Sequence, residues 1–392
     1  MSNKLGDYIE FKNGLNYDKT HKGNGCKIVG VANFKNNLHI NFENLDEVKS
    51  DIVSDDMLLK NDDLLFVRSN GNKSLVGRCL FVSDLQEKMS FSGFTIRARI
   101  KNKQKLLPKY FLYYATAPNF KNSLYKKIGG GTNIRNLTQA VLEDINIELP
   151  ELDNQKKIAN CLDQITQKIQ LNNKINDELE KLAKTLYEYW FVQFDFPDEN
   201  NRPYKSSGGA MVYNDDLKRE VPIDFEIKYV NDFLDVVTGK EDANFSDENG
   251  QYAFFTCGDE ILKCNQPAFS GKSILIAGNG NFNIKYYEGE FNAYQRTYVL
   301  IPNDNLFVGI IYLSALNRIN AFTKGSNGSI VKFITKGDVE NIPVIIPKNK
   351  NILSVFNKLL DKQNHIRYEN EKLKNLRDFI LPMLMNGQVT IQ

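Results

Sequence analysis

The sequence contains two long stretches in which mostly apolar residues recur at alternating spacings of four and three. In the first, between Leu149 and Trp190, these positions are Ile158, Leu162, Ile165, Ile169, Asn172, Asn176, Leu179, Ala183, Leu186 and Trp190. In the second they are Ile352, Phe356, Leu359, Gln363, Ile366, Asn370, Leu373, Arg377, Ile380 and Leu384. Such a heptad seam needs a partner helix to cover it, so we expect the two helices to pair with each other. The alternative is two ordinary amphipathic helices in one globular core.

Composition indicates a globular protein that has room for more than one domain. The chain has 392 residues, of which 42% are hydrophobic and 25% charged. No apolar run is long enough to span a bilayer and no secretion signal is visible, so we expect a cytoplasmic protein. The five cysteines include no CxxC pair and the three histidines are scattered. We therefore expect reduced thiols and no metal site.

Positive charge is concentrated in two parts of the chain, although the net charge is only +2. Residues 66–135 contain 14 Lys and Arg against two acidic residues, and residues 263–336 contain eight against three. Two basic regions suggest two surfaces that bind a polyanion. The alternative is that each region is only a solvated face.

The second half of the chain repeats the order of motifs in the first. The matched segments are LGDYIEFKNG and VNDFLDVVTG, DLLFVRSNGN and SILIAGNGN, YFLYYATA and VGIIYLSA, GGGTNIRNLT and KGSNGSIVKFIT, and LEDINIELP and VENIPVIIP. In the first copy, strands are predicted at Lys27 to Val31, Asp63 to Arg68, Gly77 to Val82, Gly93 to Ile100 and Val141 to Leu149, with a helix at Pro108 to Ala117. A heptad helix follows each copy.

The predicted fold class is therefore mixed α/β (α+β), with two pseudo-symmetric domains separated by an antiparallel two-helix coiled coil. The predicted segments are a first domain at 1–150, a helix at 151–190, a connector at 191–227, a second domain at 228–347 and a helix at 348–392. Two similar basic modules on a rigid spacer suit duplex DNA that is read at two half-sites a fixed distance apart.

Catalytic motifs are not visible in the sequence. It contains no GxxxxGK[ST] phosphate loop, no HExxH and no NPPY-like tetrapeptide, and Pro197 and Asp198 are not followed by a nuclease-type ExK. We therefore expect a binding subunit without catalytic residues, cofactor or metal of its own.

The loops that follow the repeated strands supply the predicted DNA contacts. Arg and Asn suit bidentate reading of guanine and adenine edges, whereas the loops around residues 132 and 326 suit phosphate positioning. For the asparagines, a hairpin turn is an equal alternative, since Asn-Gly is a strong turn signal. The predicted DNA-binding residues are Arg68, Asn70, Asn72, Lys73, Thr132, Asn133, Arg135, Asn279, Asn281, Lys285, Lys324 and Asn327.

With these motifs the chain resembles the specificity (S) subunits of type I restriction-modification systems. The resemblance is strongest in LPELDNQKKIANCLDQI and in LAKTLYEYWFVQFDFPDENNRPYKSSGG, which is similar to the central conserved region of the EcoR124-like group, and in GTNIRNLT. The second copy departs from the pattern, because it lacks a glutamine that matches Gln155.

The resemblance implies that each α/β module is a target recognition domain for one half of a bipartite, asymmetric DNA site. It also implies that the helices set the unread spacer and dock two methylation (M) subunits, and that two restriction (R) subunits join the complex. The cofactors S-adenosylmethionine, ATP and Mg²⁺ would then be held by those partners. The expected helix-pairing and partner-contact residues are Ile158, Leu162, Ile165, Ile169, Leu179, Leu186, Phe356, Leu359, Ile366, Leu373 and Ile380.

Two other hypotheses compete with this one. The chain could be a cytoplasmic coiled-coil scaffold whose basic faces are incidental, which predicts no salt-dependent DNA affinity. A self-sufficient DNA-modifying enzyme is disfavoured, because no cofactor or metal motif is visible.

Overall fold

A computed structural model describes residues 3–34, 38–42, 44–70, 75–128, 136–280, 282–325 and 333–391, without the side chains of 320–325. The fold is mixed α/β, as predicted, and the chain divides into two compact units. Unit 1 comprises Met1–Ile169 and Lys372–Gln392, and unit 2 comprises Gln170–Glu371. Each unit therefore contains part of both long helices.

Unit 1 contains short helices and strands followed by the start of one long helix. Its helices are α1 (Leu5–Tyr8), α2 (Pro108–Thr116), α3 (Pro118–Ile128), α4 (Gln139–Glu143), the first part of α5 (Leu152–Tyr187) and the last part of the second long helix, α8 (Leu353–Met385). Its strands are β1 (Ile9–Asn13), β2 (Gly25–Val29), β3 (Asp46–Lys49), β4 (Leu64–Val67), β5 (Cys79–Phe81), β6 (Met89–Phe91) and β7 (Thr95–Ile100). The strands form a four-stranded antiparallel sheet of order β1-β7-β4-β5 and a three-stranded sheet of order β3-β2-β6, in which β2 and β6 are parallel.

Unit 2 has the same plan with longer strands. Its strands are β8 (Met211–Asn214), β9 (Arg219–Pro222), β10 (Phe225–Tyr229), β11 (Val237–Thr238), β12 (Tyr252–Phe255), β13 (Leu262–Cys264), β14 (Phe269–Ala277), β15 (Ile284–Ala293), β16 (Thr297–Leu300) and β17 (Pro343–Pro347). Its helices, after a π-helical turn at Glu188–Val192 that ends α5, are α6 (Val308–Gly325), α7 (Lys336–Glu340) and the first part of α8 (Leu353–Met385). The main sheet has the order β11-β16-β14-β15-β12-β13. The long β15 pairs with both β14 and β12, whereas in unit 1 β5 pairs with β4 and β6 pairs with β2.

The duplication predicted from the motifs is confirmed by equivalent backbone hydrogen bonds. Leu5 N–H donates to Ile145 O at 2.9 Å, and Val230 N–H donates to Ile342 O at 3.1 Å. Thr138 and Thr335 both cap the short helix that follows them. Because these bonds join segments far apart in sequence, the repeat is one of tertiary structure as well as of motif order.

A glycine closes the same tight approach in each unit. A Cβ at Gly14 would lie 2.2 Å from Ser92 O, and one at Gly239 would lie 2.0 Å from Ala293 O. Distances this short exclude any side chain unless the backbone shifts. The glycine that ends KNG and VTG is therefore required by packing in both copies.

The predicted antiparallel pairing of the helices is confirmed in unit 2, and in unit 1 both helices contribute to one core. In unit 1, Ile158 and Leu162 of α5 share one apolar core with Leu381 and Leu384 of α8. In unit 2, Asn172 bonds Asn370, Gln363 bonds the backbone of Asn176, and Phe191 packs on Phe356. Residues with increasing numbers in α5 thus contact residues with decreasing numbers in α8. All 20 predicted seam positions are buried or partly buried.

The seam in unit 2 contains a small polar cluster. Asn172 Nδ2 donates to Asn370 Oδ1 at 2.9 Å and to Glu369 Oε2 at 2.8 Å, and Asn370 Nδ2 donates to Asn173 Oδ1 at 2.9 Å. Asn172 and Asn370 are both at least 95% buried. Buried amides that satisfy one another fix the register of paired helices, because a shift of either helix would leave them unpaired.

One sequence difference between the copies is compensated in space. In unit 1, Gln155 Oε1 accepts from Leu107 N–H at 2.9 Å, while its Nε2 donates to Lys105 O and Pro150 O, both at 2.9 Å. The Gln155 amide therefore ties together the segments that directly precede α2 and α5.

In unit 2, the Asn357 side-chain amide makes the equivalent hydrogen bonds to the backbone. Its Oδ1 accepts from Gly309 N–H at 2.8 Å, and its Nδ2 donates to Asn305 O at 3.0 Å and to Leu306 O at 2.9 Å. The departure noted at Gln155 is therefore a change of side chain and position with the same hydrogen-bonding role.

Two sequence expectations need correction. The predicted strand at Val141 to Leu149 is wrong, because residues 139–143 form α4 and the segment after it makes only a single bridge, between Lys4 and Asn146. The alternating apolar residues there fit a helical turn, with Leu142 buried, followed by an extended end. The predicted connector contains a regular hairpin, β8 and β9, and the first residues of β10. None of the described helices combines the length and apolarity needed to cross a membrane.

Candidate nucleic-acid interface

Three chain segments meet at one end of the main sheet in unit 1. Just beyond β4, Arg68 N–H donates to Phe94 O at 2.8 Å, and Arg68 O accepts from Leu137 N–H at 2.9 Å. Ser69 and Asn136 form an antiparallel bridge beside these bonds. We call Arg68, Ser69, Phe94, Asn136 and Leu137 the unit 1 corner. It brings together the flanks of the two loops that the sequence predicts to contact DNA.

Two side chains of the unit 1 corner stand out chemically. Phe94 lies in the tight turn that leads into β7 and is 62% exposed, which is costly for so large an apolar side chain. The Arg68 guanidinium is partly buried, and its Nη1 lies 3.4 Å from Gly93 O. A guanidinium and an exposed phenyl ring are therefore held at adjacent backbone positions by a fixed hydrogen-bond frame.

Unit 2 has an equivalent corner with its residues exchanged. Just beyond β14, Gly278 N–H donates to Arg296 O at 2.9 Å, and Gly278 O accepts from Ile334 N–H at 2.8 Å. Gly278 thus takes the place of Arg68, Arg296 that of Phe94, and Phe333 that of Asn136. We call Gly278, Asn279, Arg296, Phe333 and Ile334 the unit 2 corner.

The unit 2 corner borders an open pocket of about 390 Å³, lined by Thr238, Gly278, Asn279, Gln295, Arg296, Tyr298, Phe333, Ile334, Thr335 and Lys336. Arg296 and Gln295 are exposed, and Phe333 is 63% exposed. A Cβ at Gly278 would lie 2.8 Å from Arg296 O, so a larger residue would push the turn away. The pocket thus offers donors, acceptors and an apolar ring on one rigid frame.

Of the predicted DNA-binding residues, Arg68, Asn70 and Asn279 lie at or beside the corners. Asn72, Lys73, Thr132, Asn133, Arg135, Asn281 and Asn327 lie outside the described residues, as does the side chain of Lys324. Where the structure can be compared with these predictions, it brings together the strand end and the flank of the second loop in both units.

Lys285 is hydrogen-bonded to the segment between β12 and β13 and to Asn283. Its Nζ donates to Gly258 O at 2.6 Å and to Asn283 Oδ1 at 2.5 Å. Burial lowers the pKa of this ammonium, while the nearby Asp259 acts in the opposite direction. A DNA contact by Lys285 remains a prediction, and it would require these bonds to be exchanged for a phosphate or base.

Sequence reasoning missed several exposed residues at the corners or in the pocket beside the unit 2 corner: Phe94, Gln295, Arg296, Phe333 and Lys336. A signal was present, because the turns at residues 92–95 and 294–297 lead into β7 and β16, the strands that pair with the repeated strands β4 and β14. It was weak because the two turns, SGFT and YQRT, share only their threonine.

The local excess of positive charge in residues 66–135 is smaller in space than in sequence. Arg97 pairs with Glu10, Arg99 with Asp63, Lys103 with Asp62, Lys109 with Asp163, and Lys127 with Asp144. All five acidic partners lie outside the counted segment. Part of the basic surplus is therefore structural, and Arg97, only 1% exposed, cannot attract a ligand from solution.

The chain is similar to known proteins of one kind. The family described as type I restriction modification DNA specificity domain matches residues 1–181 and 222–375. The EcoDI type I restriction enzyme specificity subunit of Escherichia coli is 35% identical over 178 residues, which is 44% of this chain and 40% of that protein. The MjaIX specificity subunit of Methanocaldococcus jannaschii is 26% identical over 315 residues, 72% of this chain and 69% of that protein.

A solved structure supports the fold. The S subunit of a type I restriction-modification system from M. genitalium superimposes with a TM-score of 0.53 at 15% identity, over 98% of this chain and 95% of that one. The match to the EcoDI subunit spans less than half of that protein, whereas the match to the M. genitalium chain is nearly complete.

Proposed function

The chain belongs to the type I restriction-modification DNA specificity family, and from this premise we propose that it selects the DNA sequence on which a type I restriction-modification complex acts. The observation that carries the proposal is the corner, which occurs once in each of the two matched regions. Each corner holds a guanidinium and an exposed ring at the end of a sheet, in a frame built from three chain segments. The family match also favours DNA reading over the scaffold hypothesis.

We propose that each unit reads one half of a bipartite, asymmetric DNA site. The units differ at equivalent corner positions, such as Arg68 and Gly278, so they would read different bases. This difference supports an asymmetric target. Arg68, Asn70 and Asn279 are the described residues that we assign to base reading from the sequence predictions.

The chain would act through partner subunits. Two M subunits would dock on the paired helices and methylate adenine with S-adenosylmethionine, and two R subunits would supply ATP- and Mg²⁺-dependent translocation and cleavage. In this assignment the chain itself is non-catalytic and holds no cofactor. Base flipping, which methylation of a base in a duplex requires, would belong to the M subunits. Membership of the EcoR124-like group remains a prediction.

The proposal is tested by purifying the chain with its M partner and selecting bound sequences from a random duplex library. We expect two short blocks separated by an unread spacer of constant length. Affinity should also fall steeply with salt, since contacts to phosphates release counterions. A continuous single-block site, or binding that does not depend on salt, would contradict the proposal.

Two engineered chains test the division of labour. Exchanging residues 1–150 with those of another specificity subunit should change one half-site and leave the other. Inserting four residues near Asn172 should lengthen the spacer by about 6 Å at roughly 1.5 Å per helical residue. An unchanged spacer length would contradict the role of the helices in setting it.

A further inference from the structure

The unit 2 corner carries an arginine that the repeated motifs do not align with Arg68. Arg296 lies in the turn between β15 and β16 and is exposed, and among the described residues no acidic side chain forms an ion pair with it. Its backbone is nonetheless tightly held. Its carbonyl accepts from Gly278 N–H at 2.9 Å and from Cys257 Sγ at 3.3 Å. A fixed backbone below a solvent-facing guanidinium suits base recognition, because the backbone does not have to be ordered when DNA binds.

Phe333 belongs to a different segment of the unit 2 corner, the one that Ile334 joins to Gly278. The neighbouring Ile334 is buried and donates its N–H to Gly278 O, and Ile334 O accepts from the Tyr298 hydroxyl at 2.9 Å. The segment is therefore anchored, yet Phe333 itself remains 63% exposed. Exposing a phenyl ring costs about 1.5–3 kcal/mol relative to burying it, so an anchored exposed ring that lines the same pocket as Arg296 indicates an apolar contact made on binding.

The pairing recurs in unit 1 from different sequence positions. There the guanidinium comes from the strand end (Arg68) and the exposed ring from the turn (Phe94), whereas in unit 2 the strand end is Gly278 and the turn supplies Arg296. The glycine leaves the room that the turn needs, since a Cβ at Gly278 would approach Arg296 O. Both corners thus contain one arginine and one exposed phenylalanine although no equivalent position is shared.

We propose that Arg296 and Phe333 form a base-reading site of unit 2, in which Arg296 donates two hydrogen bonds to a guanine edge in the major groove and Phe333 packs against the adjoining base. The guanidinium fork matches the O6 and N7 acceptors of guanine, and a phenyl ring contacts the thymine methyl group or a base face. This inference rests on the proposed function and names the residues that determine one half-site.

The test uses the complex of the full chain with its M partner and a random duplex library. The variants are Arg296→Ala, Arg296→Lys, Phe333→Ala and, as the charge-matched control, Lys348→Ala. Lys348 lies in unit 2 just after β17, is 80% exposed and does not line the pocket. Thermal unfolding of each variant shows that the fold is retained, and Arg296→Lys keeps the charge if the alanine variant does not fold.

We expect Arg296→Ala to lower affinity for the selected site roughly tenfold to a hundredfold, with loss of the guanine preference at one position. Arg296→Lys should lose the same preference but keep the wild-type salt dependence. Phe333→Ala should relax the adjoining position, and Lys348→Ala should leave every base preference unchanged. The other half-site and the spacer should stay the same in all four.

Equal weakening on all sequences, or unchanged preferences in both Arg296 variants, would overturn the assignment while the wild-type complex still selects a bipartite site. If the wild-type complex selects no bipartite site, the proposed function itself fails. The two failures are therefore distinguishable in one experiment.

Discussion

The amide of Gln155 gives a sharp test of how the recognition unit is joined to its helix. This side chain is fully buried and makes three hydrogen bonds, to Leu107 N–H, Lys105 O and Pro150 O, each of 2.9 Å. Replacing it with methionine keeps nearly the same volume but removes all three. At about 0.5–1.5 kcal/mol for each net bond, the total is about 1.5–4.5 kcal/mol.

The expected loss lies in the lower half of this range. Lys105 is an exposed residue and Leu107 is only partly buried, so water can replace part of the lost hydrogen bonding once the amide is gone. We therefore expect Gln155→Met to destabilise unit 1 by about 2 kcal/mol. The matched control is Gln164→Met, the same substitution at an exposed position of the same helix, where we expect less than about 0.5 kcal/mol.

The assay is native-state hydrogen exchange followed at individual amides, because a chain with two compact units need not unfold in one step. The Leu107 amide should exchange faster in Gln155→Met than in Gln164→Met, and the unit 1 amides should lose about 2 kcal/mol of protection. Amides of unit 2 should not change. Equal protection in the two variants would refute the argument that this amide anchors the start of α2.

Three further predictions follow from single contacts. Asn172→Leu should lower the free energy of unfolding by about 1–3 kcal/mol, because the buried side-chain carbonyl of Asn370 then lacks its hydrogen-bond donor. Adding Asn370→Leu should recover part of this stability. Strictly additive effects in the double-mutant cycle would contradict the coupling. Arg68→Ala should cost about 1–3 kcal/mol of DNA affinity at one base position in library selection; equal weakening on every sequence would make it a phosphate contact. Burial raises the pKa of the Cys79 thiol to about 12, so at pH 8 Cys79 should stay a thiol and resist alkylation in the folded chain. Peptide mass mapping should find the more accessible Cys161 alkylated before Cys79. Early labelling of Cys79 would contradict its burial.

Much of the fold could be predicted because its signals are periodic or repeated. The heptad spacing identified both helices, whose antiparallel pairing is seen in the contacts of unit 2. The repeated motifs identified the duplication down to Gly14 and Gly239, where packing leaves no space for a side chain. The strand at Val141 to Leu149 was predicted wrongly because an apolar alternation over so few residues does not distinguish a strand from a helical turn with an extended end.

The candidate site was predictable only in part. The sequence pointed to the strand end at Arg68, since Arg and Asn beside a turn suit base reading. It could not reveal that Gly278 takes the place of Arg68, or that Arg296 and Phe333 supply the guanidinium and the ring in unit 2. These residues come from separate segments, and they lie close together only because backbone hydrogen bonds join three segments of the chain at the end of the sheet.

The sequence by itself determined the class of fold, the repeat and the pairing of the helices, because hydrophobic spacing is a local property that survives in a linear string. Tertiary structure decided which charges are neutralised, as with Lys127 and Asp144, and which amides substitute for one another, as with Gln155 and Asn357. Such interactions depend on distances of about 3 Å between residues remote in the chain. Only folding brings those atoms within reach, and with them the composition of each corner.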